Sequence, residues 1–335
     1  MIAARIELTD APAVPGLLIR PFDPTRDYPA IAAVIREADL EDSVDYAPSP
    51  EQLAIDDRTT ARFDARLDRI VAEVDGILVA TASVDVRTRE GTGVHFVEGY
   101  VRPAWRRRGL GRALLHWTEA RALAVARVDG RPPNRALMSW PDETQVGGVA
   151  LYESEGYLRV RHAFQMVRNL SQPIPELHIP PPLEVRPVVA ADHRRIWDAD
   201  TEAFQDHWNP SEPADDDFTR WFANPDLDTS LWQVAWDGDE VAGSVMSFIY
   251  RDENAALGVS RGWFDHISVR RPWRRRGLAS ALMVGAMRAL RDRGVAEAAL
   301  GVDAESLTGA LGVYEALGFR RVQTSIGFRK TFVVD

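Results

Sequence analysis

At 335 residues the chain exceeds one ordinary core, and a domain size of about 100–200 residues makes two domains the expectation. Hydrophobic residues at 45% and charged residues at 27% describe a folded globular protein, not a disordered or membrane-spanning one. A net charge of −10 gives no electrostatic drive toward nucleic acid or anionic membrane, and the lack of cysteine excludes disulfides, thiolate nucleophiles and Cys-ligated metal.

The opening stretch Met1 to Arg20 carries Arg5, Glu7 and Asp10 among its apolar residues and does not read as a signal peptide. With no cysteine and no run of 18 apolar residues, a cytoplasmic protein is expected. The first half shows a hairpin turn signal at Asp75-Gly76. Ser171 to Pro182 contains five prolines, resists helix and sheet, and sets a domain boundary near residue 175, giving domains 1–174 and 175–335. In the second half the pattern predicts a strand at Leu183 to Val188, then helices near 190–204 and 214–223. Strands follow at Leu231 to Trp236 and Val241 to Tyr250, joined by Asp237-Gly238-Asp239. Next come a strand at Trp263 to Val269, an amphipathic helix at Leu278 to Arg291, and a strand at Ala298 to Val302. A short helix at Leu307 to Ala316 and a final strand pair from Phe319 to Val333 close the chain. The fold class is α/β, with a mixed sheet flanked by helices in each domain.

The chain also repeats itself. Val101-Arg102-Pro103-Ala104-Trp105-Arg106-Arg107-Arg108-Gly109-Leu110-Gly111 recurs 168 residues on as Val269-Arg270-Arg271-Pro272-Trp273-Arg274-Arg275-Arg276-Gly277-Leu278-Ala279. Leu151-Tyr152-Glu153-Ser154-Glu155-Gly156-Tyr157 recurs 162 residues on as Val313-Tyr314-Glu315-Ala316-Leu317-Gly318-Phe319. Two matches in the same order at nearly the same offset mark a duplication. The arginine-glycine segment lies between a strand and a helix, where backbone N–H groups and a helix N-terminus can face an anion. Gly277, or Gly109 with Gly111, lets the backbone approach a diphosphate without a Cβ in the way.

An R-x-x-G-x-G/A turn followed about 40 residues later by Y-E-x-x-G-[FY], twice in one chain, resembles the GNAT superfamily of acetyltransferases. The tandem arrangement is similar to that of mycothiol synthase and related two-domain proteins. The resemblance runs from about Leu17 to Phe332 and implies two tandem acyl-CoA N-acyltransferase domains, each with a cleft where two central strands splay apart. It implies acetyl-CoA as cosubstrate, with its diphosphate on Arg274, Arg275, Arg276, Gly277, Leu278 and Ala279, and on Arg106, Arg107, Arg108, Gly109, Leu110 and Gly111 in the first half. It further implies direct transfer to the primary amine of a small molecule, with a backbone N–H near Val269 (Val101 in the first half) facing the thioester oxygen.

Such a transfer needs a base, because an alkylammonium with a pKa of about 10 has no lone pair to attack with. By strand alternation Trp263, Asp265, Ile267 and Val269 share one face. Asp265 is then the candidate base, with His266 on the opposite face as a second candidate that a bulge between them would bring round. In the first half the matching face carries His95, Val97, Gly99 and Val101, with Glu98 pointing away, so the second domain is expected to be catalytic and the first to be degenerate. The resemblance assigns Tyr314 to the departing thiolate, with Tyr152 its counterpart. An asparagine common before this helix in the family is Ser306 here. The aromatic cluster Phe204-Gln205-Asp206-His207-Trp208 either walls the acceptor site or packs a helix end, and no metal is expected. The chain is expected as a monomer or homodimer. The competing expectation is a catalytically silent acyl-CoA sensor or scaffold.

Overall fold

The computed structural model describes residues 5–8, 10–60, 63–89, 92–128, 134–208, 217–222, 224, 226–306 and 309–333. The elements in order are β1 (Leu17–Pro21), α1 (Tyr28–Asp42), α2 (Pro50–Thr59), α3 (Ala65–Asp68), β2 (Arg69–Val74), β3 (Ile77–Arg89), β4 (Thr92–Val101), α4 (Leu110–Val128), β5 (Asn134–Ser139), α5 (Val146–Ser154) and β6 (Leu158–Asn169). They continue as β7 (Glu184–Val185), α6 (His193–Phe204), α7 (Asp217–Phe222), β8 (Gln233–Asp237), β9 (Glu240–Phe248), α8 (Arg251–Leu257), β10 (Arg261–Val269), α9 (Leu278–Arg291), β11 (Glu297–Asp303), α10 (Ala310–Ala316) and β12 (Arg320–Val333). Among the described residues no helix is long and apolar enough to cross a membrane.

Two compact units result: Met1–Arg161 with Ser325–Asp335, and His162–Thr324. In the first, the strands run β1-β2-β3-β4-β5-β12, all neighbours antiparallel except the parallel pair β4 and β5. Asp75 and Gly76 both have left-handed backbone, φ 51° and 81°, the geometry that turns β2 back into β3 in two residues. The parallel pair needs a crossover, supplied by α4, whose apolar stripe Leu110, Ala113, Leu114, Leu115, Ala122 and Ala126 is buried. On the other face Ile31, Val34 and Ile35 of α1 pack with Val71 and Leu78.

The second unit repeats this plan as β6-β11-β10-β9-β8-β7, with β10 and β11 parallel and α9 as the crossover. Eight of the fourteen residues of α9 are buried, from Leu278 to Leu290, so this helix is the spine of the unit. Gly238, at φ 58°, sits in the turn between β8 and β9.

The expected closing strand pair is a single strand of fourteen residues, β12. Its apolar residues decide the matter. Ile326 and the fully buried Phe328 join Val84, Val97, Leu137 and Tyr152 in the core of the first unit, where the Phe328 ring stacks on Tyr152 at 5.5 Å. In turn Met166 of β6, and Leu170 just after it, belong to the core of the second unit. The chain therefore changes unit within β6 and again within β12, because the last strand of each unit is cut from the other sequence half. The proline-rich stretch expected at the boundary follows β6 and lies in the second unit. There Ile174 and Ile179 pack on the core, and Arg168 and Arg288 donate to the carbonyls of Pro173 and Pro175.

The strand expected at Leu183 to Val188 shrinks to Glu184–Val185, and α8 was not anticipated. Of the expected helices, residues 214–216, 223, 307 and 308 lie outside the described residues, and α10 starts at Ala310, after a left-handed Gly309.

Replacing Phe328 by Ala removes a fully buried ring from the first unit and is expected to cost about 3–5 kcal/mol in urea unfolding. A loss under about 1 kcal/mol would show that the end of β12 does not complete this core.

Candidate active site

The parallel pairs are short. In the first unit β4 and β5 pair only from Gly93 with Arg135 to Phe96 with Met138. In the second, β10 and β11 pair only from Arg261 with Glu297 to Trp263 with Ala299. Beyond these points β4 and β10 stay with their antiparallel neighbours as far as Val101 and Val269, leaving one edge of each without a strand partner. Arg102 N–H donates to Val79 O at 2.9 Å and Arg270 N–H to Ala242 O at 3.0 Å. Antiparallel strands alternate the edge to which amides point, so the N–H groups of Val101 and Val269, one residue earlier, face the open side.

Each open edge ends in the same turn. Arg107 and Gly109 are left-handed at φ 61° and 90°, and Arg275 and Gly277 at φ 60° and 79°. A non-glycine residue held there costs about 1–2 kcal/mol, yet both copies keep it. Such a backbone gathers successive N–H groups into a concavity for an anion, immediately before the N-termini of α4 and α9. The expected arginines divide their work. Arg106 makes two bonds to Asp42, at 2.7 and 2.8 Å, and donates to Val101 O. Arg274 likewise pairs with Asp206 at 2.6 Å and donates to Val269 O at 2.7 Å. These two side chains tie the turn to the helix across the gap. Arg108 folds back over the Trp105 ring, 4.7 Å from its centroid. Arg107, Arg275 and Arg276 are exposed and have no hydrogen-bond or ion-pair partner among the described residues.

In the first unit a cavity of about 420 Å³ runs from this turn into the gap, lined by Arg107, Gly109 and Gly111 at one end, Ser139, Leu151 and Tyr152 along one wall, and Glu98, Tyr100 and Gln145 deeper in. Ser139 Oγ donates to Tyr152 Oη at 2.8 Å, which leaves the phenol proton free for another acceptor. Burial pushes the Tyr152 hydroxyl up to about 12, so it stays protonated at neutral pH.

The register of β4 against β3 is unbroken, so Glu98 lies on the face opposite His95 and Val97, as expected, and that is the face on which the cavity opens. Glu98 is exposed there, has no hydrogen-bond or ion-pair partner among the described residues, and is pushed above the usual carboxylate range by the surrounding protein. It stands 168 residues before His266, so the two units place an ionisable side chain at one strand position. His95, on the opposite face, is fully buried and pushed down to about 4, its ring against Phe332.

In the second unit the register of β10 against β9 shifts between Phe264 and His266, a bulge at Asp265 that interrupts strict alternation. Asp265 accepts a hydrogen bond from the Tyr250 hydroxyl, and burial raises its pKa despite that bond. His266 Nδ1 lies 2.6 Å from Oδ2 of Asp200, which is buried on α6. Burial by itself would lower the imidazole, but the Asp200 charge and hydrogen bond more than offset it, and its pKa is raised. Phe204 and Trp221 lie 5.0 and 5.6 Å from His266, and His207 is tilted against Phe204 at 4.3 Å, so the end of α6 packs its rings about the imidazole. Tyr314 is buried on α10 with its hydroxyl pushed up to about 12 and no hydrogen-bond partner among the described residues.

Residues 67–158 match an acetyltransferase (GNAT) domain and residues 193–319 the acetyltransferase (GNAT) family. The mycothiol acetyltransferase of Salinispora arenicola is 31% identical over 265 residues, 78% of this chain and 80% of that protein. That of Geodermatophilus obscurus is 28% identical over 90% of this chain and 93% of its own. Among solved structures, a GCN5-related N-acetyltransferase from Sphaerobacter thermophilus superposes with a TM-score of 0.71 at 29% identity, over 94% of this chain and 95% of that one.

The chain belongs to the GNAT acetyltransferase family. It is a tandem GNAT protein, an N-acetyltransferase whose cosubstrate is acetyl-CoA. The motif residues of both halves form two strand-turn-helix corners, and in the first unit Tyr152 lines the same cavity as its turn. What sequence reasoning missed is the support around them: Asp42 and Asp206 behind the turn, Ser139 behind Tyr152, Tyr250 on Asp265, and Asp200 behind His266. Asp42, Asp206 and Asp200 lie more than 60 residues from the groups they contact, and Ser139 and Tyr250 sit on other elements than theirs, so none carries a local signal.

At Gly277 an added Cβ would meet nothing within 4 Å, so Gly277→Ala is strained only in its backbone. A loss of about 1–2 kcal/mol in urea unfolding is expected, with acetyl-CoA binding weakened as the turn relaxes. An unchanged midpoint would show that the left-handed conformation is not required.

Proposed function

We propose that the protein transfers the acetyl group of acetyl-CoA to the primary amine of a small molecule, and that the second unit does so with His266 as base and Tyr314 as acid. The observation that carries this reading is the 2.6 Å contact between His266 and the buried Asp200 at the mouth of the strand gap. Arg275, Arg276 and the amides of Gly277, Leu278 and Ala279 hold the diphosphate, while Arg274 holds the turn. His266, kept in one tautomer by Asp200, takes a proton from the bound ammonium. The freed amine attacks the thioester carbon, the Val269 N–H faces the oxygen that gains charge, and the C–S bond breaks as Tyr314 protonates the leaving sulfur; the nitrogen's second proton returns to the Tyr314 phenolate, and His266 releases its own to solvent. Asp265, the base expected from strand alternation, stands one residue from His266 and draws the cationic acceptor in. The relatives named mycothiol acetyltransferase make an amine-bearing thiol precursor of mycothiol the first acceptor to test.

The test is CoA thiol release with an amine panel. His266→Ala is expected to lower kcat by about 100-fold and Tyr314→Phe to lower it as well; unchanged rates in both variants would remove this assignment. The pH dependence has a definite sign. Because the imidazole works deprotonated and its pKa is raised, kcat/KM should climb as pH rises through a value above the ordinary histidine figure of about 6.5. In Asp200→Asn the charge that raises it is gone, and the limb should move to lower pH. A limb that stays in place would show that Asp200 does not act on the base.

A further inference from the structure

The first unit has lost nothing that transfer chemistry requires. Its turn carries the same two left-handed residues, its strand gap is open, and its cavity joins the turn to Tyr152 and to a carboxylate. The carboxylate is not structural, because Glu98 makes no ion pair or hydrogen bond within the described protein and spends its exposure on the cavity. The charges acting on it are the cations Arg69 and Arg87, paired with Asp57 and Asp85, and the acids Asp56 and Asp85. A side chain kept only for folding would be paired or solvated at the surface, whereas this one stands where the second unit has His266.

We propose that the first unit is a second catalytic centre, in which Glu98 accepts the proton of a cationic aliphatic amine, and Tyr152 protonates the departing thiolate. The step balances as follows. Glu98 takes one proton from the ammonium, and the amine nitrogen forms the new bond to the thioester carbon. Tyr152 gives its proton to the sulfur as the C–S bond breaks. The nitrogen's second proton returns to the phenolate, directly or through solvent. Glu98 then releases its proton to solvent, and the products are the acetamide and free CoA.

The two acceptor sides differ in chemistry. The second is ringed by Phe204, Trp221 and His207 about its imidazole. The first offers Glu98; Asp42, which also lines the cavity, is already matched by Arg106, so Glu98 is the carboxylate left there for a cationic acceptor.

The experiment uses the full-length chain with the second unit silenced by His266→Ala and Tyr314→Phe together. With acetyl-CoA and 1,4-diaminobutane, CoA release is expected to persist in this background, with benzylamine the poorer acceptor. Adding Glu98→Gln should lower kcat about 100-fold while calorimetry still finds acetyl-CoA bound, and Glu98→Asp should recover part of the rate. The proposal is overturned if the silenced chain releases no CoA with the diamine, or if Glu98→Gln leaves the rate unchanged. Failure here leaves the second unit's assignment standing, since that depends on what the silencing substitutions themselves abolish. For that assignment the converse failure is wild-type rates with every amine in the silenced chain.

Discussion

Everything functional in this protein depends on a parallel strand pair that stops early. Three or four residues of pairing between β4 and β5, and between β10 and β11, are enough to anchor the crossover helix; past them the strands part and leave main-chain amides without partners. An unpaired buried N–H is costly, so such an edge is retained where a ligand can satisfy it. The carbonyls of the last strand residues are not left open either. Val101 and Val269 each accept from the first arginine of the adjoining turn, so that the gap is closed at one side and available at the other.

That arginine also explains why the turn can stay strained. Arg106 reaches Asp42 and Arg274 reaches Asp206 from across the gap, and both pairs are partly shielded from water, where a charged hydrogen bond holds better than at an open surface. The left-handed Arg107 and Arg275 are the residues immediately after these anchors. The guanidiniums of Arg107, Arg275 and Arg276, without partners among the described residues, and the glycine of each turn are left exposed. One motif thus splits into an anchor and an exposed cationic rim, a division invisible in the string of three arginines.

The two units have diverged in their proton-handling groups while keeping their backbone. Glu98 and His266 occupy one strand position, yet one stands alone in a cavity and the other leans on a buried aspartate among aromatic rings. The bulge at Asp265 accompanies the second solution and is absent from the unbroken register of β3 with β4.

The sequence by itself determined the duplication, the anion-binding turns, the tyrosine helices, the hairpin at Asp75-Gly76 and the run of α9, because each is written in local spacing and in residues with narrow backbone preferences. Tertiary structure alone decided which half owns the last strand, since Phe328 and Met166 are equally apolar and only the packing partner tells their units apart. It also decided that the cavity opens on the face of β4 that carries Glu98, and which acid stands behind His266. Alternation sorts residues between two faces without saying which face meets a cavity, and a contact spanning 66 residues leaves no trace in the neighbourhood of either group.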